Sequence, residues 1–218
     1  MVAMIEGIDC SSWQGAINWR AAKAKGVKFA FIKATEGSTY MNPNFPRDWK
    51  EARRVGIVRG AYHYFDPSQS VTSQVNHFVA VVGYLESGDL PPALDLEGNK
   101  WNAIPVEDRL PLALAWLEAV ERAFGLPPIV YVGYYFARDV LRTAGALQLK
   151  HHQLWIPNYN KRLEKPPVPS PWLNWTFWQY TDSAQIPSAI NGRVDKNRFA
   201  GSAEDLLQLT KPNSNPPI

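Results

Sequence analysis

The sequence has a single cysteine and no long apolar run, and both features exclude classes of protein. Cys10 is alone among 218 residues, so neither an intramolecular disulfide nor a cysteine-based zinc site can form. Its place beside Asp9 in a strand-like stretch predicts a buried structural thiol. No run approaches the ~18 apolar residues of a membrane-spanning helix, and we therefore expect no membrane insertion.

Strong charge of one sign and the motifs of several enzyme classes are also missing. The net charge of +3 and the lack of a Lys/Arg block argue against a nucleic-acid partner. No Gly-x-Ser-x-Gly elbow surrounds Ser11 and Ser12, and none of the usual phosphate-binding glycine loops is present. No spacing of His, Asp and Glu resembles a metal site. We therefore expect no serine hydrolase, no metal and no other cofactor.

The order of apolar and polar runs is typical of an α/β domain. Hydrophobic residues make up 45% of the chain and charged residues 20%, as in globular proteins. Strand-like runs alternate with helical patterns, which predicts a mainly parallel sheet with covering helices. Because helices become scarce in the last third, we expect one barrel-like domain over residues 1–208 with several covering helices missing from that third. A flexible Pro-rich tail is expected over residues 209–218. The predicted strands are 6–10, 29–34, 60–65, 93–97, 129–132, 154–157 and 176–180, and the predicted helices are 17–25, 46–55, 71–85, 106–124 and 135–141.

The segment ALDLEG, residues 93–98, carries the most specific chemical signal. Alternation along a strand puts Asp95 and Glu97 on one face and the two leucines on the other. Their Cα atoms would lie roughly 6–7 Å apart, from a rise of ~3.3 Å per residue. An ionised neighbour raises the pKa of a carboxyl, so one of the two can stay protonated as an acid. The alternative is a strand end whose acids face solvent or pair with Lys or Arg.

Acidic and aromatic residues recur at the ends of most predicted strands. Functional side chains gather at the carboxyl ends of the strands in a parallel barrel, where Asp9 and a late acid, Asp195, would join the first two. Aromatic faces stack on sugar rings and carboxylates act on the glycosidic oxygen, so the pattern suits a glycan. His63, alone in an aromatic strand, is expected to be a hydrogen-bonded structural residue. The residues expected to bind substrate are Tyr62, Tyr131, Trp178, Tyr159, Trp13 and Gln179.

Six motifs together resemble the glycoside hydrolase family 25 lysozymes, also called Chalaropsis-type muramidases. They occur in family order, span roughly residues 5–200 and are highly specific only as a set. The resemblance implies a single TIM-like βα/β barrel and hydrolysis of the β-1,4 bond between N-acetylmuramic acid and N-acetylglucosamine. It implies the acid at Glu97, its partner carboxylate at Asp95, and further acids at Asp9 and Asp195. The motifs are GIDCSSWQG (7–15), FIKATEG (31–37), GAYHYF (60–65), DLE (95–97), WQYT (178–181) and VDKNRF (194–199).

Two other classes stay open at this point. A non-catalytic peptidoglycan-binding module on the same scaffold would be expected to lose one of the four acids, and all four are present. A glycosidase acting on chitin-like glycans would share the chemistry and differ in its groove. A peptidase or amidase has less support, because the usual zinc or Cys/His sets are missing.

The expected partner is the glycan strand of bacterial peptidoglycan, and the expected assembly is a monomer acting on the bacterial cell wall. The N-terminus lacks the basic segment and apolar core of a signal peptide. This fits a phage endolysin that reaches the wall through a holin-type membrane lesion. It also fits a secreted enzyme whose leader has been removed.

Overall fold

Eight strands close into a barrel in the computed structural model, which describes residues 4–141 and 146–210. In chain order the strands are β1 (Ile5–Cys10), β2 (Phe29–Glu36), β3 (Tyr40–Met41), β4 (Val58–Tyr64), β5 (Ala93–Leu96), β6 (Ile129–Val132), β7 (Leu154–Pro157), β8 (Phe177–Ala184) and β9 (Val194–Phe199). Their order around the barrel is β1-β9-β8-β7-β6-β5-β4-β2, and pairing of β1 with β2 closes it. Strand β9 runs antiparallel to both neighbours, whereas the other barrel pairs are parallel. The short β3 extends β2 as an antiparallel edge.

The predicted α/β barrel with incomplete helical cover is confirmed. Five helices lie in the connections between β1 and β7, and no α-helix lies between β7 and β9 in the part of the chain that the structure describes. Strand β9, the edge strand β3 and the last helix were not predicted, and Glu97 lies one residue beyond β5. The helices are α1 (Trp19–Ala24), α2 (Phe45–Arg54), α3 (Val71–Val82), α4 (Val106–Phe124), α5 (Tyr134–Asp139) and α6 (Ala203–Gln208).

Local sequence signals explain where the longer helices begin and end. Pro46 stands in the first turn of α2, where its missing N–H leaves no bond unmade. Glu107 and Asp108 occupy the first turn of α4 and oppose the positive end of the helix dipole. Gly56 and Gly125 follow α2 and α4 with φ of 72° at both, a left-handed conformation that favours glycine.

Two apolar layers separate along the strands because successive side chains point to opposite faces. Phe29 and Phe31 of β2 point into the barrel, where they contact rings from β7 and β8. Ala30 and Ile32 point outward into the layer beneath the helices. Leu206 of α6 packs into the interior cluster and covers the end at which β1 and β2 begin. The barrel is therefore filled at one end, and only its other end is left for polar side chains.

The predicted tail lies mostly outside the described residues. Leu209 still packs against the interior cluster, and the Thr210 hydroxyl donates to the carbonyl oxygen of Leu207 at 2.7 Å. Residues 211–218 fall outside the described ranges. Among residues 4–141 and 146–210, no helix has both the length and the apolar composition needed to cross a membrane.

Gly7 leaves the space into which the Phe29 ring packs. A Cβ there would lie 2.5 Å from the Phe29 carbonyl oxygen and 2.6 Å from its ring. We expect Gly7→Ala to lower the free energy of unfolding by about 1–3 kcal/mol, because the backbone oxygen cannot move aside cheaply. Urea unfolding measures the change. Gly133→Ala is the matched control, since its Cβ would meet nothing nearer than 3.9 Å. Equal losses in the two variants would contradict the packing argument.

Candidate active site

The open end of the barrel brings the four predicted acids into one cleft. Asp9 of β1 and Asp195 of β9 stand directly opposite each other in the antiparallel register. Asp95 points inward from β5, between Tyr64 of β4 and Tyr131 of β6 in register, and Glu97 follows it on the same face. The cleft has a volume of about 310 Å³ and is lined by Asp9, Cys10, Ser11, Trp13, Gln14, Lys33, Tyr62, Tyr64, Asp95, Glu97 and Asp195.

Asp95 is buried beneath the cleft with one carboxyl oxygen unpartnered. Its Oδ1 atom contacts no hydrogen-bond partner among the described residues. Burial raises the pKa of Asp95 well above its ordinary value, and the charge of Glu97 raises it further. An unpartnered buried oxygen costs about 1–3 kcal/mol, so such a group is typical of a site that a ligand completes.

Glu97 is exposed to the cleft, and its pKa is also raised. The main cause is displacement of water by the cleft walls, and the negative charge of Asp9 adds to it. The positive charge of Lys33 opposes the rise. Asp95 and Glu97 therefore titrate as a coupled pair, in which one proton is retained more readily than either acid would retain it alone.

Asp9 and Asp195 form a second coupled pair. The Asp9 carboxyl is buried and accepts hydrogen bonds from Gln179 Nε2 and Asn197 Nδ2, both at 2.8 Å. Burial raises the pKa of Asp9, whereas the two amide donors lower it. Burial, followed by the charge of Asp9, raises the pKa of Asp195 to about 8. The two carboxyls therefore titrate together, and the pair holds a proton more readily than an isolated aspartic acid would.

Lys33 supplies a positive charge beside the acids. It points inward from β2, and its Nζ atom lies 2.6 Å from Glu36 Oε2 and 4.8 Å from the centre of the Tyr64 ring. Its charge lowers the pKa of both Asp95 and Glu97. Sequence reasoning missed Lys33, although it stands two and four residues after the inward-facing Phe31 and Phe29 and shares their face.

Four of the residues expected to bind substrate lie at or beneath the cleft. Trp13 is 90% exposed on the loop after β1, and Tyr62 lines the cleft wall. Tyr131 is buried below, and its hydroxyl donates to Gln179 Oε1 at 3.0 Å. The hydroxyl of Tyr159, a partly exposed residue, donates to the same oxygen at 2.6 Å.

Trp178 and Gln179 occupy positions other than those expected of substrate contacts. Trp178 points to the face of β8 opposite Gln179, is buried, and donates its indole N–H to the Asn158 carbonyl oxygen at 2.8 Å. The Arg198 guanidinium lies 5.3 Å from its ring centre. The structure therefore does not bring Trp178 into the cleft. Gln179 faces the acids but is only 3% exposed, with its amide bonded within the protein.

His63 and Cys10 are structural, as expected. Thr35 Oγ1 lies 2.7 Å from His63 Nδ1, and the amide oxygen of Gln74 lies 3.1 Å from Nε2. Because that oxygen only accepts, His63 donates from Nε2 as the neutral tautomer. Burial lowers its pKa to about 3, and it stacks on Trp116 outside the barrel. Cys10 is buried with its thiol pKa raised by burial, so it is no nucleophile.

The fold and the acidic cleft together define a class of protein. Three inward-facing acids with raised pKa values lie at or just beyond the carboxyl ends of parallel barrel strands, and a fourth, Asp195, lies beside them at the amino end of the antiparallel β9, beneath an exposed tryptophan. Paired carboxyls of this kind act as acid and base on a glycosidic bond. No group of three or more His, Cys, Asp or Glu side chains in the described ranges is arranged to hold a metal ion. The fold and site are those of a glycoside hydrolase.

Comparison with known proteins gives the family. The model of Glycosyl hydrolases family 25 matches residues 8–189, and the chain belongs to this family. The resemblance seen in the six motifs is thereby confirmed.

Curated relatives and solved structures match over most of the chain. An uncharacterized protein of Escherichia coli K12, YegX, is 39% identical over 208 residues, covering 93% of this chain and 72% of its own length. Lysozyme M1 of Streptomyces globisporus is 32% identical over 212 residues, covering 94% of this chain and 71% of its own. The crystal structure of the bacterial lysozyme from Streptomyces coelicolor matches with a TM-score of 0.87 at 30% identity, covering 96% of this chain and 98% of that one.

Replacing Lys33 tests the electrostatics of the acid pair. We expect Lys33→Met to raise the pKa of both Asp95 and Glu97, because the nearby positive charge that favours their ionised forms is lost. The carboxyl carbon shifts of both residues, followed by NMR across pH, measure the change. Lys33→Arg keeps the charge and is the control. Unchanged titration in Lys33→Met would contradict the assignment of Lys33 as the cation that acts on the pair.

Proposed function

We propose a residue-level mechanism for a peptidoglycan-hydrolysing muramidase, the activity that family 25 membership and the lysozyme relatives give this protein. The bond cleaved is the β-1,4 bond between N-acetylmuramic acid and N-acetylglucosamine. Glu97 is the general acid that protonates the leaving glycosidic oxygen. The observation that carries this role is the raised pKa of a carboxyl that is exposed to the cleft beside a buried partner.

Asp95 is the carboxyl whose pKa changes when the sugar binds. Its buried Oδ1 atom lacks a donor, and the N–H of the substrate's 2-acetamido group is a donor of suitable chemistry. A hydrogen bond to the carboxylate form favours that form, so substrate binding lowers the pKa of Asp95. The proton of the coupled pair is then left on Glu97, which is where general-acid catalysis needs it.

The same acetamido group supplies the nucleophile in this mechanism. Its carbonyl oxygen attacks the anomeric carbon as the Glu97 proton passes to the leaving oxygen and the glycosidic bond breaks. Water then attacks the same carbon, gives a proton to the Glu97 carboxylate and releases the acetamido oxygen. Glu97 returns to its acid form, so the proton count closes over the cycle. Asp95 orients the acetamido group through both steps.

Trp13 is the sugar-stacking platform in this proposal. The turn that carries it is held on its carboxyl side by two hydrogen bonds, since Gln14 Nε2 donates to the Arg193 carbonyl oxygen at 3.2 Å and Arg47 donates to the Gly15 carbonyl oxygen at 2.9 Å. An indole that is exposed yet mounted on a fixed turn loses little freedom when a ring stacks on it.

The protein acts on the bacterial cell wall as a monomer. All four acids of the cleft come from one chain, so no second copy is needed to complete the site. It reaches the wall either as a phage endolysin through a membrane lesion or as a secreted enzyme. Light scattering after size exclusion tests the monomer.

Removing the acid proton is the direct test of this mechanism. We expect Glu97→Gln to lower turnover by at least ~10²–10⁴-fold, because an amide cannot protonate the leaving oxygen. Asp95→Asn should be severely impaired, since an amide cannot become the negatively charged partner. Digestion of purified peptidoglycan, with mass spectrometry of the reduced products, measures both variants.

The products separate the muramidase from its rivals. New reducing ends at muramic acid that disappear in Glu97→Gln support the proposal. Reducing ends at glucosamine would keep the glycosidase and change the bond, and cleavage of chitin oligomers would change the substrate class. Wall binding without cleavage would indicate a binding module. Substantial activity in a folded Glu97→Gln variant would overturn the acid assignment.

Trp13→Ala tests the stacking platform. We expect KM for soluble glycan fragments to rise about 3- to 10-fold, from the ~0.5–1.5 kcal/mol of an aromatic stacking contact, with kcat little changed. Stability should hold, because the side chain is 90% exposed. Tyr84→Ala is the control: Tyr84 is 74% exposed and follows α3 toward the filled end of the barrel. An unchanged KM in Trp13→Ala would remove Trp13 from the glycan site.

A further inference from the structure

Two side-chain amides converge on a single oxygen of Asp9. Gln179 Nε2 and Asn197 Nδ2 each donate to Oδ2 at 2.8 Å, and all three side chains are buried. The same Gln179 Nε2 atom also lies 3.4 Å from Asp195 Oδ2. Because two N–H groups already occupy Oδ2, that oxygen cannot itself carry a proton without facing two donors.

Hydrogen bonds to the oxygen of each amide fix its orientation. The Trp155 indole N–H, which can only donate, bonds to Asn197 Oδ1 at 2.7 Å and therefore turns Asn197 Nδ2 toward Asp9. The hydroxyls of Tyr131 and Tyr159 both donate to Gln179 Oε1, at 3.0 and 2.6 Å. Reversing either amide would set its oxygen against the Asp9 carboxylate. Two hydrogen-bond relays thus end on Asp9 Oδ2. One runs from Trp155 through Asn197, and the other runs from the two tyrosines through Gln179.

We propose that Asn197 and Gln179 are positioning residues that hold Asp9 as a carboxylate, so that the single proton of the Asp9–Asp195 pair stays on Asp195. Gln179 acts through Asp9 and not by contacting sugar. The inference deepens the proposed function by giving one wall of the cleft a fixed negative charge. Such a charge stabilises the positive charge that develops at the anomeric carbon.

The charged groups around the pair act in the same direction as the two amides. Asp95, Glu97 and Asp182 bring negative charge, and Tyr62, Tyr131 and Tyr159 are neutral at working pH. The positive charge of Lys33 acts on Asp95 and Glu97. The charges of Asp182 and Glu97 raise the pKa of Asp195, whereas the two amide donors lower the pKa of Asp9, so both influences favour an ionised Asp9 and a protonated Asp195.

Two variants break one relay each without substituting Asp9 or Asp195. Gln179→Met keeps the side-chain length and removes the donor to Asp9. Trp155→Phe removes the indole N–H that orients Asn197. We expect the pKa of Asp9 to rise, by about 1–2 units in Gln179→Met from loss of a bond to a charged acceptor and by less in Trp155→Phe. Since the ionised form is the active one, the acidic limb of kcat should move to higher pH by the same amount.

Matched controls separate this effect from simple loss of packing. Trp172→Phe removes another buried indole N–H, one that donates to the His152 carbonyl oxygen at 2.9 Å, away from the cleft. Tyr180→Phe alters the residue next to Gln179 and removes only a hydroxyl bonded to Glu6. Both controls should keep the wild-type pH profile, whatever they do to the unfolding midpoint.

Two measurements test the role of the amides. The first is the carboxyl titration of Asp9 by NMR in the free protein, which needs no substrate. The second is the pH profile of peptidoglycan cleavage. An upward shift of Asp9 in both relay variants, with no shift in the controls, supports the inference. A uniform fall in kcat at every pH with Asp9 titration unchanged would overturn it. If no variant and no wild-type protein cleaves peptidoglycan, the proposed function fails, while the titration still decides the role of the relays.

Discussion

The pairing of β1 with both β2 and β9 is the constraint on which the site depends. It closes the sheet, and closure gives every strand an inward face that cannot turn away from its neighbours. Asp9 and Asp195 are opposed in the β1–β9 register and cannot move apart without opening the barrel. The stability of the closed barrel therefore offsets the repulsion between the two carboxylates. Because the carboxyls cannot separate, their pKa values rise and they share a proton.

Aromatic side chains fill one end of the barrel and thereby raise the pKa values of the acids at the other end. Phe29, Phe31 and Phe177 pack edge to face in the interior, and Leu206 covers them from α6. Water is thus kept from the floor of the cleft, and the pKa of each acid there is raised chiefly by burial. The buried aromatic side chains contact no substrate, but they exclude water and so keep the pKa values of the acids raised.

Period-two alternation explains most of what could be predicted and also where prediction failed. Asp95 and Glu97 fall on the inward face by that rule alone. The same rule separates Trp178 from Gln179, because neighbours on a strand cannot both face the cleft, and composition gave no hint of which one would. Strand β9 escaped prediction because it returns antiparallel, outside the βα order from which the barrel was inferred. Asn197 could have been found as the residue two after Asp195, on the same face.

The two acid pairs solve one electrostatic problem in opposite ways. Each holds two carboxyls in a volume that favours one proton between them. In the Asp9–Asp195 pair two hydrogen-bond donors to Asp9 come from the protein itself, and we infer from them that the proton has a fixed place before any sugar binds. In the Asp95–Glu97 pair an oxygen of Asp95 is left without a donor, so in the proposed mechanism the position of the proton depends on the acetamido N–H of the substrate. On this proposal the first pair provides a constant negative charge and the second changes its protonation when substrate binds. A sugar lacking the acetamido N–H would then meet the constant charge but would not shift the proton of the second pair to Glu97.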